Sequence, residues 1–316
     1  MKFGVLGDAK ISRTKLIPAI QSAGHDVVQI GRRDPSQPSD DPIYNSMDGG
    51  IDQVSYQDLL ANPEIEAIYN PLPNHLHVPM SIAALEAGKH VLCEKPIALN
   101  NAELDRLEDA VQSSGRYLME AYMIRHHPQW AWLQTADIGT AQLVHALFTY
   151  PPRDDGNIRN RADYGGGPLY DIGCYAILSG LLVFGDAPED IDVRFEMHPQ
   201  YDIEDIASGI MTFPGGRHLT FSVSSAASAM QSVQVVGTTG SAQLTVPFNP
   251  PLETTARLNK GVLGEDALIS FESCDQYALM VADFVKAAET GQQPDLTISR
   301  KVTTCLEQMI TKRAIT

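Results

Sequence analysis

The stretch His90-Val91-Leu92-Cys93-Glu94-Lys95-Pro96 decides how the remainder of the chain is interpreted. Its apolar residues predict a short buried strand that ends at a carboxylate, an amine and a proline. Ligands of open α/β sheets bind at the carboxyl ends of the strands, so Glu94 and Lys95 are expected at a binding edge. Pro96 disfavours helical backbone at the preceding residue, and Lys95 is therefore expected in extended conformation. A solvated Glu/Lys pair in a surface turn is the common alternative for so short a motif.

Composition restricts the class of protein. The 316 residues suffice for about two domains, and an apolar content of 43% provides for buried cores. The net charge of -16 argues against nucleic acid or an anionic membrane as a general partner. No run approaches the ~20 apolar residues of a membrane span, and the first apolar run is too short for a signal peptide. The four cysteines have no CxxC or zinc-like spacing, which predicts a reducing cytoplasmic location and no metal centre.

A phosphate-binding turn is predicted near the start of the chain. Residues 3–6 indicate a first strand, and Gly7-Asp8-Ala9-Lys10-Ile11-Ser12 follows it as a degenerate G-x-G-x-x-G motif. Ala9 and Ser12 replace the second and third glycines, and residues this small still let a pyrophosphate approach the backbone N–H groups. Any strand-turn-helix unit produces a similar pattern, so the motif alone is a weak signal.

The end of the second strand, at residues 26–30, indicates which dinucleotide binds. NAD sites usually carry an acidic residue about 20 residues beyond the glycine turn, whereas Gly31-Arg32-Arg33 stands here. A guanidinium group binds a phosphate bidentately, so the sequence predicts NADP(H), with Arg32 as the main ligand and Arg33 as the supporting one. NAD(H) remains possible because Asp34 is a candidate ribose ligand. The alternative is that the two arginines only keep a loop soluble.

The first half otherwise continues a β-α alternation. Residues 34–50, rich in Pro, Ser and Asp, predict a mobile loop in place of the second helix. A strand at 65–69 ends in Asn70-Pro71-Leu72-Pro73-Asn74-His75-Leu76-His77, a rigid polar loop suited to lie along a dinucleotide. With further strands at 90–93 and 117–121, the pattern predicts an α/β Rossmann dinucleotide-binding domain over residues 1–122.

The second half has the pattern of an α+β domain. Strands are predicted at 142–150, 192–197, 208–213, 218–224, 232–236 and 242–246, and helices at 171–184, 275–290 and 298–315. Few helices separate the strands, which predicts a large, mostly antiparallel open sheet in a domain over residues 123–316. One face of such a sheet is free to associate, and a homodimer through it is expected.

A second chemical pair is formed by Asp171 and Tyr175. Four residues apart on a helix, the two side chains share one face, and Gly165-Gly166-Gly167 lets that end of the helix approach another surface closely. A tyrosinate can take the proton of a carbinol hydroxyl if a nearby cation lowers its pKa, and Lys95 can supply that charge. Asp171 would orient a second hydroxyl or the Lys95 amine. The alternative is a capping aspartate and a half-buried tyrosine.

Several linked motifs extend over most of the chain: Gly7-x-Ala9-x-Ile11, the loop 70–77, the run 87–96, Glu120-Ala121-Tyr122-Met123-Ile124-Arg125-His126-His127-Pro128, Asn157-Ile158-Arg159, 165–175 and 235–240. Together they resemble the glucose-fructose oxidoreductase, inositol dehydrogenase and rhizopine-catabolism (Gfo/Idh/MocA) family. Tyrosine rather than histidine at 175, and arginine after the second strand, are similar to the branch of NADP-dependent aldose (xylose-type) 1-dehydrogenases and trans-dihydrodiol dehydrogenases.

The resemblance implies an oxidoreductase that transfers a hydride between NADP(H) and a carbinol or carbonyl carbon of a sugar or polyol. Lys95, Tyr175 and Asp171 are the expected catalytic residues. The expected cofactor-binding residues are Gly7, Ala9, Lys10, Ile11, Arg32, Arg33, Pro71, Leu72, Asn74, His77, Glu94, Lys95, Pro96, Met123 and Arg159. The substrate is expected to meet Arg125, His126, His127, Asp171 and Tyr175, although for either histidine alone a structural role is the commoner one.

An aldose 1-dehydrogenase is the leading interpretation of the sequence. A trans-dihydrodiol dehydrogenase and a sugar ketoreductase are the enzymatic alternatives, because they would share Lys95 and Tyr175 and differ only in the walls of the pocket. A non-catalytic NADP-binding sensor or partner-binding protein is the alternative from another class of function.

Overall fold

The computed structural model describes residues 1–45, 50–261 and 266–313. The chain forms two compact units, Met1–Met123 with Asp275–Leu296 and Ile124–Cys274 with Thr297–Thr316. Residues 275–296, which were predicted to lie in the second domain, pack with the first unit. The reason is aromatic packing, because the Phe284 ring lies 5.9 Å from the Phe3 ring and 5.7 Å from the Tyr117 ring.

The first unit contains a parallel sheet. Its strands are β1 Lys2–Leu6, β2 Asp26–Arg32, β3 Asp52–Ser55, β4 Ala67–Asn70, β5 His90–Cys93 and β6 Leu118–Glu120. Among the described residues the strands are ordered β3-β2-β1-β4-β5-β6, with every pair parallel. This order reverses direction at β1, as in a Rossmann fold, so the predicted dinucleotide-binding architecture is confirmed. The carboxyl ends of β1, β2, β4 and β5 therefore lie along one edge.

Helices of the first unit fill the connections between the strands. They are α1 Ile17–Ser22, α2 Tyr56–Ala61, α3 His77–Glu86, α4 Asn101–Ser114 and α7 Gln276–Glu289. A π-helical segment, Ser12–Leu16, leads directly into α1, which has Pro18 in its first turn. A proline lacks the donor that an interior helical position needs, which accounts for the start of the regular α-helix one residue before Pro18.

The connection from β2 to β3 differs from a regular β-α-β unit. In place of a second helix the described residues contain a short 3-10 turn at Pro42–Asn45. The strand β3 follows, and it was not predicted, since Val54 is its single apolar residue. Residues 46–49, part of the predicted mobile loop, lie outside the described residues.

The second unit contains a larger mixed sheet. Its strands are β7 Ala141–Thr149, β8 Asp190–Met197, β9 Glu204–Phe213, β10 Arg217–Ser224, β11 Met230–Gly237, β12 Ser241–Leu244, β13 Thr255–Asn259 and β14 Asp266–Ser270. The order over the described residues is β14-β13-β12-β11-β7-β10-β9-β8, in which the β7/β10 pair is parallel and the other pairs are antiparallel. The predicted mostly antiparallel sheet is confirmed, and β13 and β14 extend it beyond the predicted strands.

Three helices belong to the second unit: α5 Pro128–Thr135, α6 Cys174–Phe184 and α8 Thr297–Arg313. A π-helical turn, Leu169–Gly173, precedes α6, whose residues are almost all buried. By length and composition alone, the described stretch Ala162–Phe184 could cross a membrane, although most of it is buried inside the protein. This stretch is longer than the apolar runs anticipated from the sequence, and its burial is that of a core helix.

Candidate active site

The turn after β1 has the geometry that the degenerate glycine motif requires. Gly7 has a φ of +87°, a conformation that favours glycine, and its N–H donates to the Gly31 carbonyl at 2.8 Å. A Cβ at position 7 would meet Leu72 Cδ2 at 2.9 Å. The first glycine and the loop after β4 thus approach each other closely, which accounts for glycine at this position. Ala9 and Ile11 are half-buried, and Lys10 is exposed.

The two arginines after β2 differ in their surroundings. Arg32 is mostly buried, with a side-chain exposure of 18%, and its Nη1 donates to Asp8 Oδ2 at 2.9 Å and to Gln53 Oε1 at 3.0 Å. Its Nε is buried and has no hydrogen-bond partner among the described residues. Arg33 is exposed. Arg32 therefore lies at the strand edge beside the glycine turn, and its buried Nε has no acceptor among the described residues.

Asp8 is a site residue that the sequence analysis did not select. Its carboxylate accepts hydrogen bonds from Arg13, Arg32 and Tyr44. Burial opposes ionisation, but these donors outweigh it and hold the pKa of the Asp8 carboxyl below its usual value. The sequence signal that could have identified Asp8 is its position as the one acid in the motif, directly after the first glycine.

The loop after β4 is held by a buried histidine. His77 Nε2 lies 2.7 Å from the Leu72 carbonyl oxygen, and His77 Nδ1 lies 2.7 Å from the Pro96 carbonyl oxygen. Burial lowers the pKa of His77 to about 4, against the two carbonyl contacts, which raise it. Among the residues predicted to bind the cofactor, His77 therefore connects the loop to Pro96 from inside the protein. Pro71 and Leu72 are buried, and Asn74 is half-buried.

Glu94 and Lys95 lie at the carboxyl end of β5, as predicted. The Tyr69 hydroxyl donates to Glu94 Oε1 at 2.8 Å. Burial, followed by the Glu94 charge, raises the pKa of Tyr69 well above its usual value, so the phenol remains a donor. Lys95 is half-buried, and its peptide bond to Pro96 is cis. The orientation of Glu94 is thus fixed by a tyrosine inside the sheet.

In the second unit, Asp171 lies in the π-helical turn before α6. Arg159 Nε donates to Asp171 Oδ2 at 2.6 Å, and the Asp171 side chain is 16% exposed. π-Helical turns occur frequently at functional sites. Arg159, predicted from the sequence as a cofactor residue, and Asp171, predicted as a catalytic residue, are therefore brought together as an ion pair.

Tyr150, at the end of β7, belongs to the same group although the sequence analysis missed it. The residue is 7% exposed. Burial, followed by the nearby Asp171 carboxylate, raises the pKa of Tyr150 above its usual value. The Arg153 guanidinium lies over the Tyr150 ring, 4.9 Å from its centroid. A tyrosine at the end of a predicted strand does not by itself indicate a functional residue. Asp171, which is near Tyr150 in the structure, is far from it in the sequence.

Tyr175 lies one helical turn beyond Asp171 and is 4% exposed. Its ring packs 5.9 Å from the Phe148 ring and 5.5 Å from the Phe248 ring. The aromatic contacts therefore restrict the direction in which the Tyr175 phenol points.

The start of the helical segment that carries these residues is held by Glu204 on β9. The Leu169 N–H donates to Glu204 Oε1 at 2.8 Å, and Arg313 on α8 is ion-paired with Oε2. Gly167 has a φ of +97°, and a Cβ there would meet Glu204 Oε1 at 2.6 Å. The glycine-rich entry predicted from the sequence thus makes room for a buried carboxylate, which the sequence analysis did not identify.

The residues after β6 have mixed surroundings. Met123 is buried, Arg125 is exposed and His126 is half-buried. His127 is 1% exposed, and its Nδ1 accepts from the Gln129 N–H at the start of α5. Burial lowers the pKa of His127. His127 therefore caps a helix, the structural role that is commoner for a lone histidine. No group of three or more His, Cys, Asp or Glu side chains suited to a metal ion occurs within the described residues.

Fold and site together define a two-domain NAD(P)-dependent oxidoreductase. Residues 1–122 match the model of an oxidoreductase family with an NAD-binding Rossmann fold, and residues 130–243 match the GFO/IDH/MocA C-terminal domain. The chain is 39% identical over 301 residues to an uncharacterized oxidoreductase of Rhizobium meliloti, covering 92% of this chain and 90% of the relative. The chain therefore belongs to the Gfo/Idh/MocA family.

Two further relatives have assigned activities. The chain is 31% identical over 298 residues to a D-xylose 1-dehydrogenase (NADP(+)) of Haloferax volcanii, covering 93% of this chain and 91% of that protein. A 3-ketoreductase from Actinomadura kijaniata, crystallised with NADP and TDP-benzene, has a TM-score of 0.87 at 27% identity, covering 98% and 97% of the two chains. The protein is thus a sugar-related dehydrogenase or reductase that acts on CH-OH groups.

Proposed function

We propose that the protein is an NADP-dependent aldose 1-dehydrogenase that works on a free sugar or polyol in the cytoplasm. The observation that carries the cofactor preference is Arg32, held at the end of β2 beside the glycine turn with a buried Nε that has no acceptor among the described residues. A phosphate offers the acceptor that such a guanidinium lacks. The D-xylose 1-dehydrogenase (NADP(+)) relative supports both the cofactor and the substrate class.

The first unit fits a bound dinucleotide. Gly7, Ala9 and Ile11 would hold the pyrophosphate, and Arg32 with Arg33 the adenosine phosphate. The remaining cofactor contacts are assigned to Lys10, Pro71, Leu72, Asn74, Glu94, Lys95, Pro96, Met123 and Arg159, with His77 supporting the loop from behind. When bound, the nicotinamide supplies the two-electron redox chemistry, and the protein supplies position and proton transfer.

Oxidation of a carbinol carbon requires that its hydroxyl proton be removed. We assign this proton transfer to Tyr175 and Lys95, because a phenol becomes an effective base when a cation favours its ionised form. Asp171, oriented by Arg159 and lying near Tyr150, is suited to accept a hydrogen bond from a second hydroxyl of the substrate. Arg125 and His126 are assigned to the rim of the substrate site, and His127 to its support.

The experiment that tests this function follows nicotinamide absorbance with NADP+ or NAD+ and a panel of aldoses, polyols and trans-dihydrodiols. We expect turnover of an aldose with NADP+ and much weaker turnover with NAD+. Lys95→Met should abolish turnover and retain cofactor binding, whereas Lys286→Met, an exposed lysine on α7, should leave both unchanged. Oxidation of a diol but of no aldose, or full activity in Lys95→Met, would contradict the proposal.

A sugar 3-ketoreductase is the second candidate. It is supported by the similarity, over nearly the whole chain, to the 3-ketoreductase solved with NADP and TDP-benzene. The discriminating assay supplies NADPH with a nucleotide-linked keto sugar, and consumption of NADPH there without oxidation of free aldoses would favour this candidate.

We further propose that a second copy of this chain covers the outer face of the large sheet. Strand register places several exposed apolar residues on this face: Leu143, Ile206, Ile210, Met230 and Leu268, which are 37–63% exposed. Apolar residues in such numbers on one open sheet face favour association. The global charge of -16 makes nucleic acid and anionic membranes poor partners.

A further inference from the structure

We propose that Asp8 is a cofactor-selectivity residue whose carboxylate competes with the 2′-phosphate of NADP(H) for Arg32. The proposal rests on the assignment of Arg32 as the phosphate ligand. It concerns a residue at the second position of the glycine motif, Gly7-Asp8-Ala9, where an acid already pairs with the arginine that would bind the phosphate.

Asp8 belongs to a network of ion pairs and hydrogen bonds. Arg32 Nη1 lies 2.9 Å from Asp8 Oδ2, and Arg13 is ion-paired with Oδ1. Arg13 Nε in turn lies 2.8 Å from Asp41 Oδ2, and the Tyr44 hydroxyl donates to Asp8 Oδ1. Asp8 and Arg32 are each 18% exposed. A pair this well shielded from water is stronger than an ion pair on an open surface.

Arg32 does not depend on Asp8 alone for its position. Gln53 Oε1 accepts from Arg32 Nη1 at 3.0 Å, and Gln53 is itself held by both backbone groups of Ser39, at 2.7 and 2.9 Å. Gln53 is neutral, so it orients the guanidinium without cancelling its charge. Removal of the Asp8 charge is therefore expected to leave Arg32 oriented and to increase its attraction for an anion.

The Asp8 charge is expected to have opposite effects on the binding of NADP(H) and of NAD(H). A 2′-phosphate beside Asp8 meets a like charge, and it must share Arg32 with that carboxylate. A free ribose hydroxyl instead gains an acceptor, because a carboxylate accepts hydrogen bonds from the ribose in sites that bind NAD. Since its three donors hold the Asp8 carboxyl ionised near neutral pH, both effects operate under assay conditions. Asp8 thus weakens NADP(H) binding and supports NAD(H) binding.

The test measures dissociation constants of NADP+ and NAD+ by isothermal titration calorimetry for the wild type, Asp8→Asn, Arg32→Met and the double variant. Asp8→Asn should bind NADP+ about threefold to tenfold more tightly, and NAD+ equally or more weakly. In the Arg32→Met background the same Asp8→Asn change should improve NADP+ binding by clearly less, because only the direct repulsion between Asp8 and the phosphate is then removed. Asp8→Ala is a second variant, and a matching circular dichroism spectrum verifies that each protein is folded.

The outcomes separate this proposal from the proposed function. If Arg32→Met leaves NADP+ affinity unchanged, the assignment of Arg32 as phosphate ligand fails. If Arg32→Met weakens NADP+ binding but Asp8→Asn also weakens it, or has no effect, Asp8 only positions Arg32 and the competition is overturned. A tighter complex with NADP+ and NAD+ alike would overturn it too, because the effect would then be independent of the 2′-phosphate.

Discussion

The buried Glu204 carboxylate on β9 accepts a hydrogen bond from the Leu169 backbone N–H at 2.8 Å, across 35 positions of sequence. It holds the start of the helical segment that carries Asp171 and Tyr175. Arg313, at the end of α8, is the ion-pair partner of the same carboxylate. One acid therefore connects the helical segment of Asp171 and Tyr175 to the last helix of the second unit.

Glu204→Ala is expected to lower the free energy of unfolding by about 3 kcal/mol, because it leaves the half-buried Arg313 guanidinium and a buried backbone donor without their acceptor. Glu204→Gln keeps an acceptor for the Leu169 N–H and should lose less. Urea unfolding followed by fluorescence measures both values. Glu253→Ala, which removes an exposed acid of the same unit, is the control and should change stability by under ~0.5 kcal/mol. Equal stability of Glu204→Ala and this control would show that the buried pair contributes nothing.

His77 is expected to make the stability of the first unit dependent on pH. Its pKa in the folded protein is about 4, below the ordinary 6.5, so the unfolded chain binds the proton more readily between these values. The stabilisation is complete above pH 6.5 and is lost as the pH falls towards 4, by about 3 kcal/mol in total. Urea unfolding at pH 7.0, 5.5 and 4.5 measures it.

The matched variant for this measurement is His77→Gln, which cannot titrate. Its stability should be lower than that of the wild type at pH 7 and should fall less steeply between pH 6.5 and 4.5. His218→Gln, which changes a half-buried histidine on β10, should retain the wild-type slope. A wild-type slope in His77→Gln would mean that other groups cause the acid sensitivity.

Tyr150→Phe is expected to raise KM for the sugar and lower kcat/KM by about tenfold, with a smaller change in kcat. The Tyr150 hydroxyl is buried and has no hydrogen-bond partner among the described residues, so we expect it to bond the bound sugar, and the loss of that one hydrogen bond costs about 1.4 kcal/mol. Because burial and Asp171 keep the Tyr150 phenol protonated, the pH profile of kcat should be unaltered. Steady-state kinetics from pH 6 to 10 measure both quantities.

Two control variants test whether the effect is specific to the Tyr150 hydroxyl. Tyr201→Phe changes a tyrosine whose ring stacks on His198, and it should leave the kinetics unchanged. Tyr175→Phe should abolish turnover at every pH. If Tyr150→Phe instead removes a limb of the pH profile, Tyr150 itself transfers a proton, and the assignment of that role to Tyr175 is wrong.

Sequence patterns predicted the elements whose stability is local. Strands with continuous apolar runs, such as β1 and β5, and the helix containing Tyr175 were predicted close to their observed bounds. The strand β3 was missed because its four residues, Asp52–Ser55, depend on parallel pairing with β2 rather than on their own apolar content. Asp8 and Glu204 were missed for a related reason. Their partners lie 24 and 35 positions away, and no local pattern reports such pairs.

Ile210→Arg is expected to convert the proposed homodimer into a monomer. Ile210 on β9 pairs with Thr220 on β10 and with Asp192 on the edge strand β8, so the substitution lies on the exposed apolar face, one strand in from the edge of the sheet. Burial of an added charge in this apolar interface costs about 2 kcal/mol, which weakens association about 30-fold. Sedimentation velocity over a range of protein concentrations measures the change. Leu252→Arg, which adds the same charge at a 59% exposed residue outside the strands, should leave the dimer intact. A monomeric wild type, or a dimer that persists in Ile210→Arg, would show that this face does not join two copies of the chain.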